Sequence, residues 1–169
     1  LRAMRRKYNT RMAMESINAI RCAMPDVCFT TDIIVGFPGE TDARFKELLA
    51  DLKRMQFDRL GAFAFSPEKG TKAARMSGRP SRKIAEERER IVMAEAKKLW
   101  KIKSKKMLGG KYEALVVAPG VARMHSQAPD VDGVVYLLDS PKARRLEAGD
   151  FCRVRLERVD GFDFEGDAL

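Results

Sequence analysis

The stretch T-T-D-I-I-V-G-F-P-G-E-T, from Thr30 to Thr41, determines how the first half of the chain is interpreted. Its β-branched run, Ile33 to Val35, predicts a short strand that is buried on both faces. Glycine and proline then end the strand, because glycine tolerates positive φ and proline stiffens a turn. The polar residues that close the stretch suit a helix N-terminus. The pattern therefore predicts a strand, a glycine-rich turn and a helix.

Two explanations of this turn stay open. In α/β folds, ligands bind in the turns that follow the carboxyl ends of the strands. The alternative is structural, because every strand-to-helix connection needs a tight turn. The turn has neither the Lys-Ser/Thr pair of a phosphate-binding loop nor the G-x-G-x-x-G spacing of a dinucleotide site.

A second strand is predicted from the apolar run at Leu60–Phe65, after a helix that follows the turn. Because a strand–helix–strand unit has parallel strands, both strands should end at the same edge of the sheet. The turns at Gly36–Glu40 and Ser66–Thr71 should therefore border one pocket. The helix between the strands is predicted from apolar residues on one face: Phe45, Leu48, Leu49, Leu52 and Met55.

Two further helices are predicted from capping residues. Thr10 can cap a helix that runs to about Met24. Ser81 can cap a long charged helix that runs to about Leu108, after a connector at 72–80, and two glycines stop it. The second half of this helix is rich in lysine, which favours a solvated face. Its apolar positions are predicted to be Ile84, Ile91, Leu99 and Ile102.

Short strands replace helices from Lys111 onward. In one of them, apolar residues from Cys152 to Leu156 alternate with charged ones, which indicates a half-buried antiparallel strand. About sixty residues in four or five strands predict a small barrel. The predicted strands are Tyr112–Ala118, Val134–Leu138 and Phe151–Val159.

Composition narrows the class of protein. The 169 residues are 45% hydrophobic and 34% charged, which is typical of a soluble protein, and no apolar run is long enough to cross a membrane. The three cysteines show no C-x-x-C spacing, so we expect a reducing, cytoplasmic setting. The chain starts at Leu1 within a helical pattern, and we expect it to be a piece of a longer protein.

Charge is distributed unevenly along the chain. Residues 1–110 hold 25 Lys/Arg and 13 Asp/Glu, a balance of +12, whereas residues 111–169 hold 8 and 11, a balance of −3. The basic part could face nucleic acid and the acidic part could face a basic partner. The alternative is that both parts are solvated surface.

Three motifs, in order, resemble those of the radical-SAM methylthiotransferases: M-R-R-K-Y at Met4–Tyr8, T-D-I-I-V-G-F-P-G-E-T at Thr31–Thr41, and F-S-P-E-K-G-T at Phe65–Thr71. The resemblance implies an α/β fold that ends in a small antiparallel, OB-like β-barrel. Residues 1–77 would be the C-terminal part of a radical-SAM partial TIM barrel. Residues 78–108 would be a connecting charged helix, and residues 109–169 a TRAM-type barrel.

Two stretches resemble one branch of this family more than the other. S-P-E-K-G-T and A-P-D-V-D-G-V-V-Y, at Ala128–Tyr136, are similar to the branch that methylthiolates the β-carbon of an aspartate in a small-subunit ribosomal protein. The acidic balance of residues 111–169 agrees, since an RNA-binding domain should be basic. A basic ribosomal protein is therefore the expected partner, and RNA contact is secondary. The alternatives are the branch that modifies a tRNA adenosine, and a cluster-free module that binds ribosomes or RNA.

The resemblance also implies cofactors, namely S-adenosyl-L-methionine (SAM) and two 4Fe–4S clusters in the parent protein. The cluster motif C-x-x-x-C-x-x-C is absent from this chain, so we expect the chain alone to be inactive and name no catalytic or metal-binding residue. Arg6 could pair with the SAM carboxylate, because a guanidinium suits that geometry. The predicted cofactor-binding residues are Arg6, Ile34, Gly36, Phe37, Gly39, Ser66 and Glu68. The predicted substrate contacts are Arg123, Asp130, Asp132 and Asp139.

Overall fold

A computed structural model describes all of residues 1–169, which form two compact units, Leu1–Trp100 and Lys101–Leu169. The first unit contains helices and a two-stranded sheet. The second contains a closed barrel of five strands. The predicted α/β fold that is followed by a small barrel is therefore confirmed.

The first unit is built on a strand–helix–strand motif. Its β1 and β2 strands pair in parallel, as predicted, with Ile34 opposite Phe63. A 3₁₀ turn at Ala73–Arg75 precedes the long helix α3, which continues into the second unit. The regular elements are α1 (Thr10–Ala23), β1 (Thr30–Val35), α2 (Asp42–Met55), β2 (Arg59–Ala64) and α3 (Arg82–Met107).

Polar side chains cap the helices of this unit. The Asn9 side chain accepts a hydrogen bond from the Met12 amide at 3.0 Å, so the prediction that Thr10 caps α1 is wrong by one residue. An asparagine oxygen reaches this amide from an extended backbone, and Thr10 is already helical. At α3, Ser81 accepts from the Ile84 amide at 3.3 Å, which confirms the predicted cap.

The core of the first unit lies on one face of the sheet. It consists of Val35, Phe45, Leu52, Ala62 and Val92, from both strands and from helices α2 and α3. The opposite face of the sheet is not covered. Ile34 is 47% exposed and Phe63 is 56% exposed, so the prediction of strands buried on both faces is wrong.

The predicted apolar positions of α3 are not all buried. Ile84 and Ile91 are exposed, whereas the residues that follow them, Ala85 and Val92, are buried. Ile102 is exposed as well. The apolar residues of α3 therefore lie on more than one side of the helix, and only some of them are buried.

The second unit is a closed barrel with the strand order β3-β4-β5-β7-β6. Four pairings are antiparallel, but β5 pairs with β7 in parallel, so the prediction of a wholly antiparallel barrel is wrong at this pair. The strands are β3 (Lys111–Ala118), β4 (Val121–Met124), β5 (Val135–Leu137), β6 (Phe151–Asp160) and β7 (Asp163–Ala168).

Alternation places the barrel core where the sequence predicts it. Cys152, Val154 and Leu156 of β6 point inward and are buried, together with Phe164 of β7. Strands β4 and β7 were not predicted, because β4 is short and β7 carries Gly166 among acidic residues. Gly166 is required there, since a Cβ would lie 2.6 Å from the Arg155 carbonyl oxygen. None of the helices has the length and apolar character that a membrane span needs.

Candidate functional site

The turn after β1 is held in place by backbone hydrogen bonds. Gly36 and Gly39 adopt φ of +74° and +88°, values that L side chains rarely take. The Glu40 amide donates to the Phe37 carbonyl at 3.0 Å, and the Gly39 amide donates to the Gly78 carbonyl at 2.9 Å. The turn therefore has one defined shape, with the segment before α3 lying against it.

The turn after β2 lies beside the turn after β1. The Phe65 amide donates to the Val35 carbonyl at 2.8 Å, and the Phe37 and Phe65 rings meet edge to face at 5.1 Å between centroids. Further along, the Thr71 hydroxyl donates to the Glu68 carbonyl at 2.8 Å. The parallel strands thus bring both turns to one edge of the sheet, as the topology predicts.

A groove of about 720 Å³ opens at this edge. Gly36 from the first turn and Ser66 and Pro67 from the second line it, so the predicted co-location is confirmed for these residues. Aromatic surface comes from Phe63 and Phe65. Charged and polar groups come from the start of α3 and the residues before it: Arg79, Ser81, Arg82, Glu86 and Glu89.

The other residues predicted to bind cofactor do not line this groove. Ile34 is half exposed on the open face of the sheet, opposite Phe63. Glu68 is exposed, and its carbonyl accepts the turn hydrogen bonds of Thr71. Arg6 is exposed in an N-terminal turn, where its amide donates to the Leu1 carbonyl at 2.9 Å. Phe37 and Gly39 belong to the first turn but are not among the lining residues.

Residues in the first half of α3 contact the first turn and the end of β2. The sequence interpretation missed this role. A Cβ on Gly36 would lie 2.4 Å from the Ala85 Cβ, so the absent side chain makes room for α3. The Glu89 carboxylate accepts from the Ala64 amide at the end of β2 at 3.1 Å. Arg88 is 5% exposed and donates to the Glu40 carboxylate at 2.7 Å.

The predicted substrate contacts lie in the second unit, and most of them are engaged within it. Asp132 is 7% exposed and accepts from the Ala128 amide at 3.0 Å, so it shapes a turn and is not a surface contact. Asp139 forms two hydrogen bonds to the Arg144 guanidinium, at 2.6 and 2.5 Å. Arg123 donates to the Gln127 carbonyl at 3.1 Å. Asp130 is exposed and has a φ of +60°.

Electrostatics at the barrel surface follow from these pairs. The hydrogen bond from Arg144, with its positive charge, holds the pKa of Asp139 below its ordinary value, and Asp139 raises the pKa of Arg144 in turn. Arg155 is held similarly by Glu157 and Asp167, which raise its pKa. Asp139, Glu157 and Asp167 of the barrel are therefore paired with its own arginines.

The chain offers no ready site for an iron–sulfur cluster. No group of three His, Cys, Asp or Glu side chains is placed to hold a metal ion. Cys22 is exposed in α1, Cys28 is partly buried, and Cys152 is buried in the barrel, where burial raises its thiol pKa. A thiolate ligand requires the opposite shift, so Cys152 does not suit a cluster. Cys22 and Cys28 belong to no group of side chains that could hold a metal ion.

Comparison with known proteins agrees with this division of the chain. Residues 109–169 match the TRAM domain family. The whole chain is similar to proteins named ribosomal protein uS12 methylthiotransferase RimO. That of Acidithiobacillus ferrooxidans is 37% identical over 98% of the chain and 38% of the relative. That of Opitutus terrae is 39% identical over 96% and 34%, and that of Paraburkholderia phytofirmans is 34% identical over 99% and 37%.

The extent of these matches defines what the chain represents. It spans between a third and two fifths of the length of these relatives. The matched part includes 96–99% of this chain. The chain is thus similar, over nearly its whole length, to part of the RimO methylthiotransferases, and its residues 109–169 match the TRAM domain.

Proposed function

We propose that this chain is part of an enzyme that methylthiolates an aspartate of the ribosomal protein uS12 in the cytoplasm. The groove at the ends of β1 and β2 takes the adenosine side of SAM, and the TRAM barrel contacts the protein substrate. The observation that supports this most directly is the groove, because both motif-bearing turns, through Gly36 and Ser66, line one cavity. The name of the relatives supplies the substrate class.

The groove is suited to an adenosine group. Phe63 and Phe65 provide aromatic surface, and the Ser66 hydroxyl and the charged groups of α3 provide polar contacts beside it. Such a combination of apolar walls and a few polar groups is typical of cofactor sites. When bound, SAM supplies the methyl group and the radical chemistry that the family resemblance implies.

We place the ligands of the iron–sulfur clusters in a part of the enzyme other than this chain. Since the cysteines present do not fit cluster ligands, we expect the chain alone to be inactive. Anaerobic incubation with iron and sulfide should leave it without the broad visible absorbance of thiolate-bound clusters. A stable cluster on Cys22 or Cys28 would contradict this expectation.

A chimera tests the proposal directly. The matched segment of the Acidithiobacillus ferrooxidans relative is replaced by this chain, and uS12 is examined by mass spectrometry for the added methylthio group. We expect modification of uS12 that requires SAM. The unchanged relative is the positive control. A chimera that folds and holds its clusters, but leaves uS12 unmodified while it modifies tRNA, would assign the chain to the tRNA branch.

The charge of the barrel favours one of the two candidate substrates, uS12, over tRNA. Residues 111–169 have a balance of −3, and RNA binding depends on a surplus of Lys and Arg. Exposed charges chiefly set association rate and specificity, and their effect weakens with salt. We therefore expect a fragment of residues 109–169 to bind purified uS12 more tightly than tRNA in titrations at two salt concentrations. Tighter, salt-sensitive binding to tRNA would reverse this assignment.

A further inference from the structure

We infer that Arg88 is a positioning residue for the turn that follows β1, which rests on the proposed role of this turn in binding cofactor. Arg88 lies one helical turn after Ala85, the residue against which Gly36 packs. Its side chain leaves solvent almost completely and reaches the first turn of α2 as well as Glu40. No feature of the sequence motifs assigns it a role.

Arg88 bridges two carboxylates, those of Glu40 and Asp42. One guanidinium nitrogen donates to the Glu40 carboxylate at 2.7 Å and to the Glu40 carbonyl at 3.2 Å. The other donates to Asp42 at 2.6 Å. The guanidinium carbon also lies over the Phe45 ring, 5.2 Å from its centroid, which adds a cation–π contact to the two carboxylates.

Glu40 passes this restraint to the turn. The carboxylate oxygen that accepts from Arg88 also accepts from the Gly36 amide, at 2.8 Å. Without the guanidinium, this carboxylate would be a mostly buried charge with a single backbone partner. Arg88 therefore keeps Glu40 in place, and Glu40 fixes the direction of the Gly36 amide at the mouth of the groove.

Removing the positive charge alone would leave Glu40 unpaired, so Arg88→Met could simply unfold the chain. The double variant Arg88→Met with Glu40→Gln removes both charges together. The carboxamide introduced by Glu40→Gln can still accept from the Gly36 amide, but no guanidinium orients it. This variant separates positioning from the cost of an unpaired buried charge.

Amide hydrogen exchange of the isotope-labelled chain, followed by NMR, tests the inference without a ligand. In the double variant we expect the Gly36 amide to exchange about tenfold faster than in the wild type. The Leu52 amide, in the core helix α2, should keep its protection. Arg88→Lys should restore part of the Gly36 protection, because its ammonium can reach one of the two carboxylates. Arg90→Gln is the matched control, since Arg90 is an exposed arginine of the same helix that pairs with Glu87.

Titration with S-adenosylhomocysteine supplies the cofactor readout. We expect the double variant to bind it about tenfold more weakly than Arg90→Gln does, in line with one lost hydrogen bond. The inference would be overturned if the exchange rate of the Gly36 amide were unchanged in the double variant. It would also be overturned if the Gly36 and Leu52 amides lost protection equally, since that would indicate general destabilisation. Equal binding by the wild type and the double variant would also overturn it. A wild-type chain that does not bind at all would instead contradict the proposed function, and with it the cofactor role of Arg88.

Discussion

Gly36 shows how one residue can serve packing and a candidate site together. Its φ of +74° and the Ala85 Cβ at 2.4 Å both exclude a side chain. We expect Gly36→Ala to lower the free energy of unfolding by about 1–3 kcal/mol more than Gly70→Ala does. Gly70 is the matched control, because it has a φ of +89° with no atom near its Cβ position. Urea unfolding of both variants measures the difference, and equal losses would show that the Ala85 contact costs nothing.

The Asp139–Arg144 pair predicts a pH dependence. Because hydrogen bonding to Arg144 lowers the pKa of Asp139 in the folded chain, its stabilising effect is present above the unfolded value of about 3.9. The effect is lost as the pH falls through the lower, folded pKa. NMR titration of the Asp139 carboxyl should show this shift, and Arg144→Gln should raise the pKa toward the ordinary value. A titration curve that is unchanged by Arg144→Gln would refute the assignment.

At the scale of elements, α3 allows a direct comparison of two neighbouring residues. Val92 is fully buried in the core, whereas Ile91 is 39% exposed. We expect Val92→Ala to cost roughly 2 kcal/mol of unfolding free energy, because it leaves a cavity, and Ile91→Ala to stay within about 0.5 kcal/mol. Thermal unfolding of the two variants tests the orientation of the helix. A larger loss at Ile91 would show that Ile91, and not Val92, faces the core.

The success of the sequence interpretation also varies with the element. The strand–turn–helix motif and the Ser81 cap were predictable, because glycine, proline and capping residues act locally. The buried face of α3 was not, since apolar residues lie on several sides of this helix and the sequence does not show which side meets the sheet. The roles of Arg88 and Glu89 were hidden as well, because a charged helix looks solvated until its tertiary partners are known. Their only signal was helical spacing, which places Arg88 beside Ala85 and Val92.

For the whole molecule, sequence could locate the two parts of the chain but not the chemistry of each surface. The groove follows from parallel topology, and the motif resemblance agrees with the relatives named RimO. The acidic balance of the barrel was also evident from counting residues. That some of its carboxylates pair with neighbouring arginines depends on strand register, as in Arg158 opposite Glu165. Counted charge therefore gives the net balance of the barrel but not which of its carboxylates are left for a partner to meet.

The position of β7 has a consequence for the order of events during synthesis. This last strand of the barrel inserts between β5 and β6, so the barrel cannot close until residues 163–168 have left the ribosome. Until then, β5 and β6 each expose an unpaired edge, which is prone to associate with other chains. We expect a chain that stops at Phe162 to aggregate or to be degraded, whereas loss of Leu169 alone should be tolerated. Sedimentation of the two truncated products after cell-free translation would show which of them aggregates.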